Sequence, residues 1–180
     1  MPVDQPILYK LWKTREFNFE LFICSVCLSF FGMFMFGYHI HEKGILQVSI
    51  PLGMLLCSSP YFAKYHLLFS AVANYSLSPL FFTPFEMVIY FLFQLTYFLI
   101  ELECIRSYWN EQCKISWFWK MYLIGLIAFE LNRMFLFRLV IGSALPFVPL
   151  MLVSVYCFIG LFILYVNFYC HVCTAKSKID

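Results

Sequence analysis

The sequence predicts an all-α, polytopic membrane protein, a bundle of about six transmembrane helices. Two observations carry that expectation. Of the 180 residues, 63% are hydrophobic and only 12% charged, and the mean hydropathy is +0.81, a balance no soluble domain of this size shows. The charged residues also fall in clusters between apolar runs long enough to cross a bilayer, which takes about 20 residues.

Taken in order, the runs are roughly Phe19–Tyr38, Gly44–Ala63, Tyr65–Phe82, Phe85–Glu103, Ser116–Phe137 and Leu145–Tyr169. The first follows a polar, mixed stretch from Met1 to Glu20 that lacks the form of a cleavable signal peptide. Pro51, Gly53, Pro60 and Pro79 interrupt the second and third, and only Lys64 and His66 mark the gap between them. Proline is tolerated in a spanning helix where neighbours re-satisfy the freed backbone groups, so these two should be kinked and packed inside the bundle. The fourth, fifth and sixth are separated by the basic stretch around Arg106 and Lys114 and by the turn at Arg138–Ala144. The organisation expected is therefore a segment 1–16, a helical region 17–170 and a tail 171–180.

Charge orients the runs. Lys10, Lys13 and Arg15 precede the first, Lys64 follows the second, Arg106, Lys114 and Lys120 follow the fourth, and Lys176 and Lys178 close the chain. With an even number of crossings these all share one side, which the positive-inside rule makes cytosolic. The His39–Lys43 and Thr83–Glu86 junctions and the Arg138–Ala144 turn then face the lumen or exterior. The net charge of +2 sets orientation; no basic stripe suits nucleic acid, and none is expected as a partner.

The densest chemistry lies in Tyr38-His39-Ile40-His41-Glu42-Lys43-Gly44-Ile45, set between two strongly apolar runs. One charge at the bilayer centre costs about 2.5 kcal/mol or more, so these side chains belong at a membrane surface or in a cavity. His39 and His41 alternate as metal ligands would on an extended strand, but zinc needs further donors and a peptidase motif would place a second histidine where Ile45 stands. Cys170-His171-Val172-Cys173 reads as a helix end, and neither a metal nor a cofactor is expected. Cys24, Cys27, Cys57, Cys104, Cys157 and Cys170 lie in or at the ends of apolar runs, where cysteine is a small hydrophobe and stays reduced. Glu130 and Arg133, three apart, can pair on one helix face, in a structural or a functional role. The sequon Asn74-Tyr75-Ser76 lies in an apolar run, out of reach of glycosylation.

A family resemblance rests on three stretches. Phe34-Met35-Phe36-Gly37-Tyr38-His39-Ile40-His41-Glu42-Lys43 resembles the signature segment of the dolichyl-phosphate-glucose-dependent α-1,3-glucosyltransferases of the endoplasmic reticulum. Tyr75-Ser76-Leu77-Ser78-Pro79-Leu80-Phe81-Phe82-Thr83 with Glu86, and Pro146–Leu150 through Ser154–Cys157, are similar to the same family in the same order. These last two look closer to the enzyme that adds the second glucose. The resemblance implies a polytopic lipid-sugar glycosyltransferase fold, a multi-pass protein of the endoplasmic reticulum membrane, and transfer from dolichyl phosphate glucose to the lipid-linked oligosaccharide Glc1Man9GlcNAc2-diphosphodolichol. Its alternatives are the family member that adds the first glucose to Man9GlcNAc2-diphosphodolichol, and a non-catalytic membrane subunit that binds a lipid phosphate.

A β-linked donor and an α product imply inversion in one in-line displacement, with a carboxylate to take the acceptor proton and cationic donors on the leaving phosphate. Carried over residue by residue, the resemblance marks His41 as a phosphate contact, with His39, Lys43, Glu42 and Glu86 as weaker substrate-binding candidates. The family's catalytic acid is expected in a large luminal loop outside this chain. The chain thus resembles a carboxyl-terminal part, expected to be inactive alone. Its Lys176-Ser177-Lys178-Ile179-Asp180 terminus has the spacing of a dilysine retrieval signal, or of a simple basic flank.

Overall fold

A computed structural model describes residues 18–38, 40–81, 83–110, 115–140 and 148–177, excepting the side chains of 42, 84, 133–140, 149 and 175–177. The described residues are all helical or in turns, in agreement with the all-α expectation. Among the described residues six α-helices follow one another: α1 Phe19–Phe36, α2 Leu46–Met54, α3 Pro60–Ser76, α4 Pro84–Trp109, α5 Trp117–Val140 and α6 Val148–Ser177. Short 3-10 turns at Glu42–Ile45 and Ser78–Leu80 lead into α2 and follow α3.

Among the described residues, three helices are long and apolar enough to cross a membrane: α1, α4 over Phe85–Trp109 and α6 over Leu150–Thr174. The expected spans Gly44–Ala63 and Tyr65–Phe82 need correction. Helix α2 has nine residues, about 14 Å of rise, and cannot cross a hydrocarbon core of about 30 Å by itself. The break comes at Ser59-Pro60. Ser59 Oγ accepts from the Phe62 amide (3.4 Å), its carbonyl accepts from Ala63 (3.1 Å), and Pro60 opens α3 where a missing N–H is harmless. Lys64 and His66 therefore lie inside α3, with His66 buried, and do not mark a gap. Likewise Lys120 stands in the first turn of α5 and Arg106 in the last turn of α4.

Helix α3 is buried along most of its length, from Phe62 to Tyr75; Pro60 stands at its first position and Pro79 in the turn beyond it, so neither interrupts it as the sequence suggested. By contrast α4 leaves Val88, Ile89, Leu92, Phe93, Leu99 and Ile100 exposed, an apolar surface suited to lipid. Helix α6 runs on through residues 171–177, so Cys170–Cys173 is helix interior.

The chain divides into two compact units, Met1–His66 with Phe162–Asp180, and Leu67–Leu161. The first packs α1 against α2. Its core includes Cys27, Phe31, Val48, Leu52 and Phe168, all nearly inaccessible. Ser25 and Ser29 return their hydroxyls to the carbonyls of Leu21 (2.9 Å) and Ser25 (3.0 Å), so neither leaves a bare donor in an apolar helix. Tyr65 donates to the Leu164 carbonyl (2.7 Å), and His171 stacks on Tyr61 with centroids 3.7 Å apart, a packing role for the histidine of the Cys-His-Val-Cys segment.

The second unit is joined by a reciprocal tyrosine pair. Tyr122 of α5 donates to the Tyr156 carbonyl (2.8 Å), Tyr156 of α6 donates to the Tyr122 carbonyl (3.0 Å), and the rings stack 4.6 Å apart at 7°. Each hydroxyl rests against a glycine of the opposite helix, Gly160 for Tyr122 and Gly125 for Tyr156. Small residues that let helices approach closely are the usual basis of packing in a membrane, where apolar burial alone favours no partner.

Candidate functional site

The histidine segment forms the exit from α1. That helix ends at Gly37, whose amide donates to the Met33 carbonyl (2.8 Å). Ile40 then folds back between two glycines. A Cβ on Gly37 would stand 3.0 Å from Ile40 Cγ1, and one on Gly44 would stand 2.8 Å from Ile40 Cγ2. Both positions need a bare backbone for that approach. The next apolar residue, Ile45, is fully buried and anchors the other end.

Between these anchors His41 and Lys43 are exposed. His41 is exposed and precedes the 3-10 turn; its carbonyl accepts from Gly44 (2.8 Å), while its imidazole caps nothing. Lys43 is exposed within the turn. His41 and Lys43 are thus two exposed, donor-bearing residues two positions apart on one short, anchored segment. An imidazole and an ammonium so placed can hold an anion, above all a phosphate oxygen. His39 and the side chain of Glu42 lie outside the described residues, as do the side chain of Arg133 and the Arg138–Ala144 turn apart from the helical backbone of 138–140.

Glu86 belongs to the other compact unit, where it has a local task. Thr83 Oγ1 accepts from the Glu86 amide (3.3 Å), and Glu86 Oε2 accepts from the Thr83 amide (3.4 Å), with Pro84 at the first helical position. This is a capping box, and it satisfies two of the orphan donors at the start of α4. The pattern Thr-Pro-Phe-Glu ahead of an apolar run announces it in the sequence.

A second feature escapes sequence reading. Ser70 of α3 donates to Glu101 Oε2 of α4 at 2.6 Å, with both residues buried. Glu101 sits in the middle of an apolar run, which is itself a signal, since a carboxylate there must find donors. Its partner could not be read from spacing, because the two are 31 residues apart. Among the described residues, no group of three or more His, Cys, Asp or Glu side chains is placed to hold a metal ion. The seven described cysteines are free.

Comparison with known proteins adds the lineage. Residues 3–168 match the ALG6, ALG8 glycosyltransferase family. Three curated relatives are named dolichyl pyrophosphate Glc1Man9GlcNAc2 alpha-1,3-glucosyltransferase. The one from Dictyostelium discoideum is 32% identical over 95% of this chain and 30% of its own length. That from Arabidopsis thaliana is 34% identical over 87% of this chain and 33% of its own, and that from Mus musculus 31% over 95% and 33%. The chain thus spans about a third of the length of these relatives. No solved structure matches it. From the glycine-bracketed His41 segment to the turn ahead of α4, the stretches that carry the resemblance lie within that match, and the chain belongs to the ALG6, ALG8 glycosyltransferase family.

Proposed function

We propose that this protein serves the transfer of glucose from dolichyl phosphate glucose to Glc1Man9GlcNAc2-diphosphodolichol in α-1,3 linkage, as a multi-pass protein of the endoplasmic reticulum membrane. The observation that carries the reading is that relatives named for the second glucose match 87–95% of this chain at 31–34% identity. The exposed His41 and Lys43 supply what such a reaction asks of this segment: cationic donors for the phosphate that leaves as the anomeric carbon is inverted. His39, Glu42 and Glu86 complete the proposed substrate-binding set, with Glu42 orienting one of the donors.

The distribution of Lys and Arg supports cytosolic termini and a luminal His39–Lys43 segment. A short α2 does not disturb that assignment if α2 enters the membrane and α3 returns, because the junctions before α2 and after α3 then share one face.

The test is transfer in microsomes carrying this chain joined to the amino-terminal part of a relative, because the chain by itself is expected to be inactive, supplied with radiolabelled dolichyl phosphate glucose. The product expected is the diglucosylated lipid-linked oligosaccharide. His41→Ala should remove about 2–4 kcal/mol of transition-state stabilisation, if the imidazole acts as an oxyanion-type donor. Near wild-type transfer by that variant would take His41 out of the site, and glucose added only to Man9GlcNAc2-diphosphodolichol would move the reading to the first step.

A further inference from the structure

Under the topology proposed above, on which this inference rests, Pro84 and Val148 open α4 and α6 at the luminal side, and each helical residue adds about 1.5 Å along the axis. Cys104 stands twenty residues beyond Pro84, about 30 Å on, and Cys170 twenty-two beyond Val148, about 33 Å on. A tilt of about 20° trims these to about 28 and 31 Å, the depth of a hydrocarbon core of about 30 Å. Both thiols therefore come at the cytosolic edge of the bilayer, five residues before the Trp109 end of α4 and seven before the Ser177 end of α6. Both are exposed. By contrast Cys24, Cys27 and Cys157 are at most 3% exposed, and Cys173 is hydrogen-bonded to the Tyr169 side chain.

The surface beneath each thiol is a second, independent observation. A helical side chain leans towards the N-terminus of its helix, here towards the bilayer interior. One turn in that direction α4 exposes Ile100 and α6 exposes Val166; Tyr97 and Phe93 continue the open stripe on α4, and Phe162 continues it on α6. Each cysteine thus heads an uncovered apolar track that runs alongside the lipid tails. We propose that Cys104 and Cys170 are S-acylation sites, each taking a long-chain acyl group in thioester linkage from acyl-CoA at the cytosolic membrane surface. Thiols on that side stay reduced, and a juxtamembrane cysteine is the position at which reversible acylation occurs. The cysteine sulfur attacks the thioester carbonyl of acyl-CoA, the bond from that carbon to the CoA sulfur breaks, and the departing CoA thiolate takes the proton that the cysteine loses. One thioester replaces another, so no oxidant or reductant enters. The attached chain returns into the bilayer along the stripe below its cysteine.

The experiment feeds alkynyl palmitate to cells making the whole chain, then purifies the chain and couples it to an azide reporter. Label should appear, and neutral hydroxylamine, which cleaves thioesters and spares amides, should remove it. Exchange of the acyl groups for a polyethylene glycol maleimide should raise the mass by two steps. Cys104→Ser and Cys170→Ser should each remove one step, and the double variant should lower the label about tenfold, whereas Cys173→Ser should leave both steps. A melting curve in detergent checks the fold of each variant, and alanine replaces serine where the serine variant unfolds. Label that resists hydroxylamine, or that persists undiminished in the folded double variant, would overturn the inference. So would the absence of label in a chain whose Cys104 and Cys170, after hydroxylamine, react with a membrane-impermeant maleimide in sealed microsomes. Reaction only after permeabilisation would instead overturn the topology, and the acylation with it. Acylation consumes no glucose donor, so label on a chain that fails to support glucose transfer would refute the proposed reaction and leave these two sites standing.

Discussion

Gly160→Ala should destabilise the helical bundle, although the same change in an ordinary helix stabilises it by about 1 kcal/mol through propensity. The reason is the Tyr122 ring. A Cβ on Gly160 would overlap the Tyr122 hydroxyl and stand 2.5 Å from its Cζ and 3.1 Å from its Cε1, so the ring must leave. Displacing it breaks the Tyr122 hydrogen bond to Tyr156 O (2.8 Å) and the 4.6 Å stack. Such a bond in a membrane bundle averages about 0.6 kcal/mol, and an aromatic pair contributes about 0.5–1.5 kcal/mol. Overpacking adds about 1–3 kcal/mol, so the net after the propensity gain is a loss of about 1–4 kcal/mol. Thermal unfolding in mild detergent, followed by circular dichroism, measures it. The decisive control is the same change in a Tyr122→Leu background, where it should be neutral or stabilising. A Gly160→Ala protein as stable as wild type would refute the packing argument, and so would an equal loss in both backgrounds.

Thr83→Ala should cost about 1 kcal/mol of stability by removing the α4 cap, whereas Glu86→Gln, which retains the capping geometry, should melt close to wild type. A large loss of glucose transfer in a normally folded Glu86→Gln variant would then assign its carboxylate to the chemistry. Ser70→Ala should lower stability by about 0.6–1.7 kcal/mol through loss of its 2.6 Å bond to Glu101, measured by the same melting assay. In a variant whose other cysteines are replaced, a cysteine at position 41 should react with a membrane-impermeant maleimide in sealed microsomes only after permeabilisation; labelling beforehand would invert the topology.

Helix class and the approximate place of most helices were legible because apolar run length and charge placement are one-dimensional signals. The break between α2 and α3 was legible too, in Ser58-Ser59-Pro60, but the charges at Lys64 and His66 competed with it. The backbone decides between them: a capping serine followed by proline fixes a helix start, while a lysine or histidine can sit inside a packed helix. Glu86, a substrate-binding candidate in the sequence, also has a local task that the Thr83-Pro84-Phe85-Glu86 pattern announces: it is the second half of a capping box.

By itself the sequence determined the membrane class, the orienting charges, the histidine segment and the family, because each is a matter of which residues occur and how far apart they stand along the chain. Tertiary structure decided what depends on separated residues meeting: Ser70 on Glu101, and each tyrosine of the Tyr122–Tyr156 pair over the glycine of the facing helix. In a medium where every apolar face is equally content with lipid, periodicity does not say which faces pair. The close approaches and hydrogen bonds that do decide it are set by shape, and shape appears only once the helices are packed.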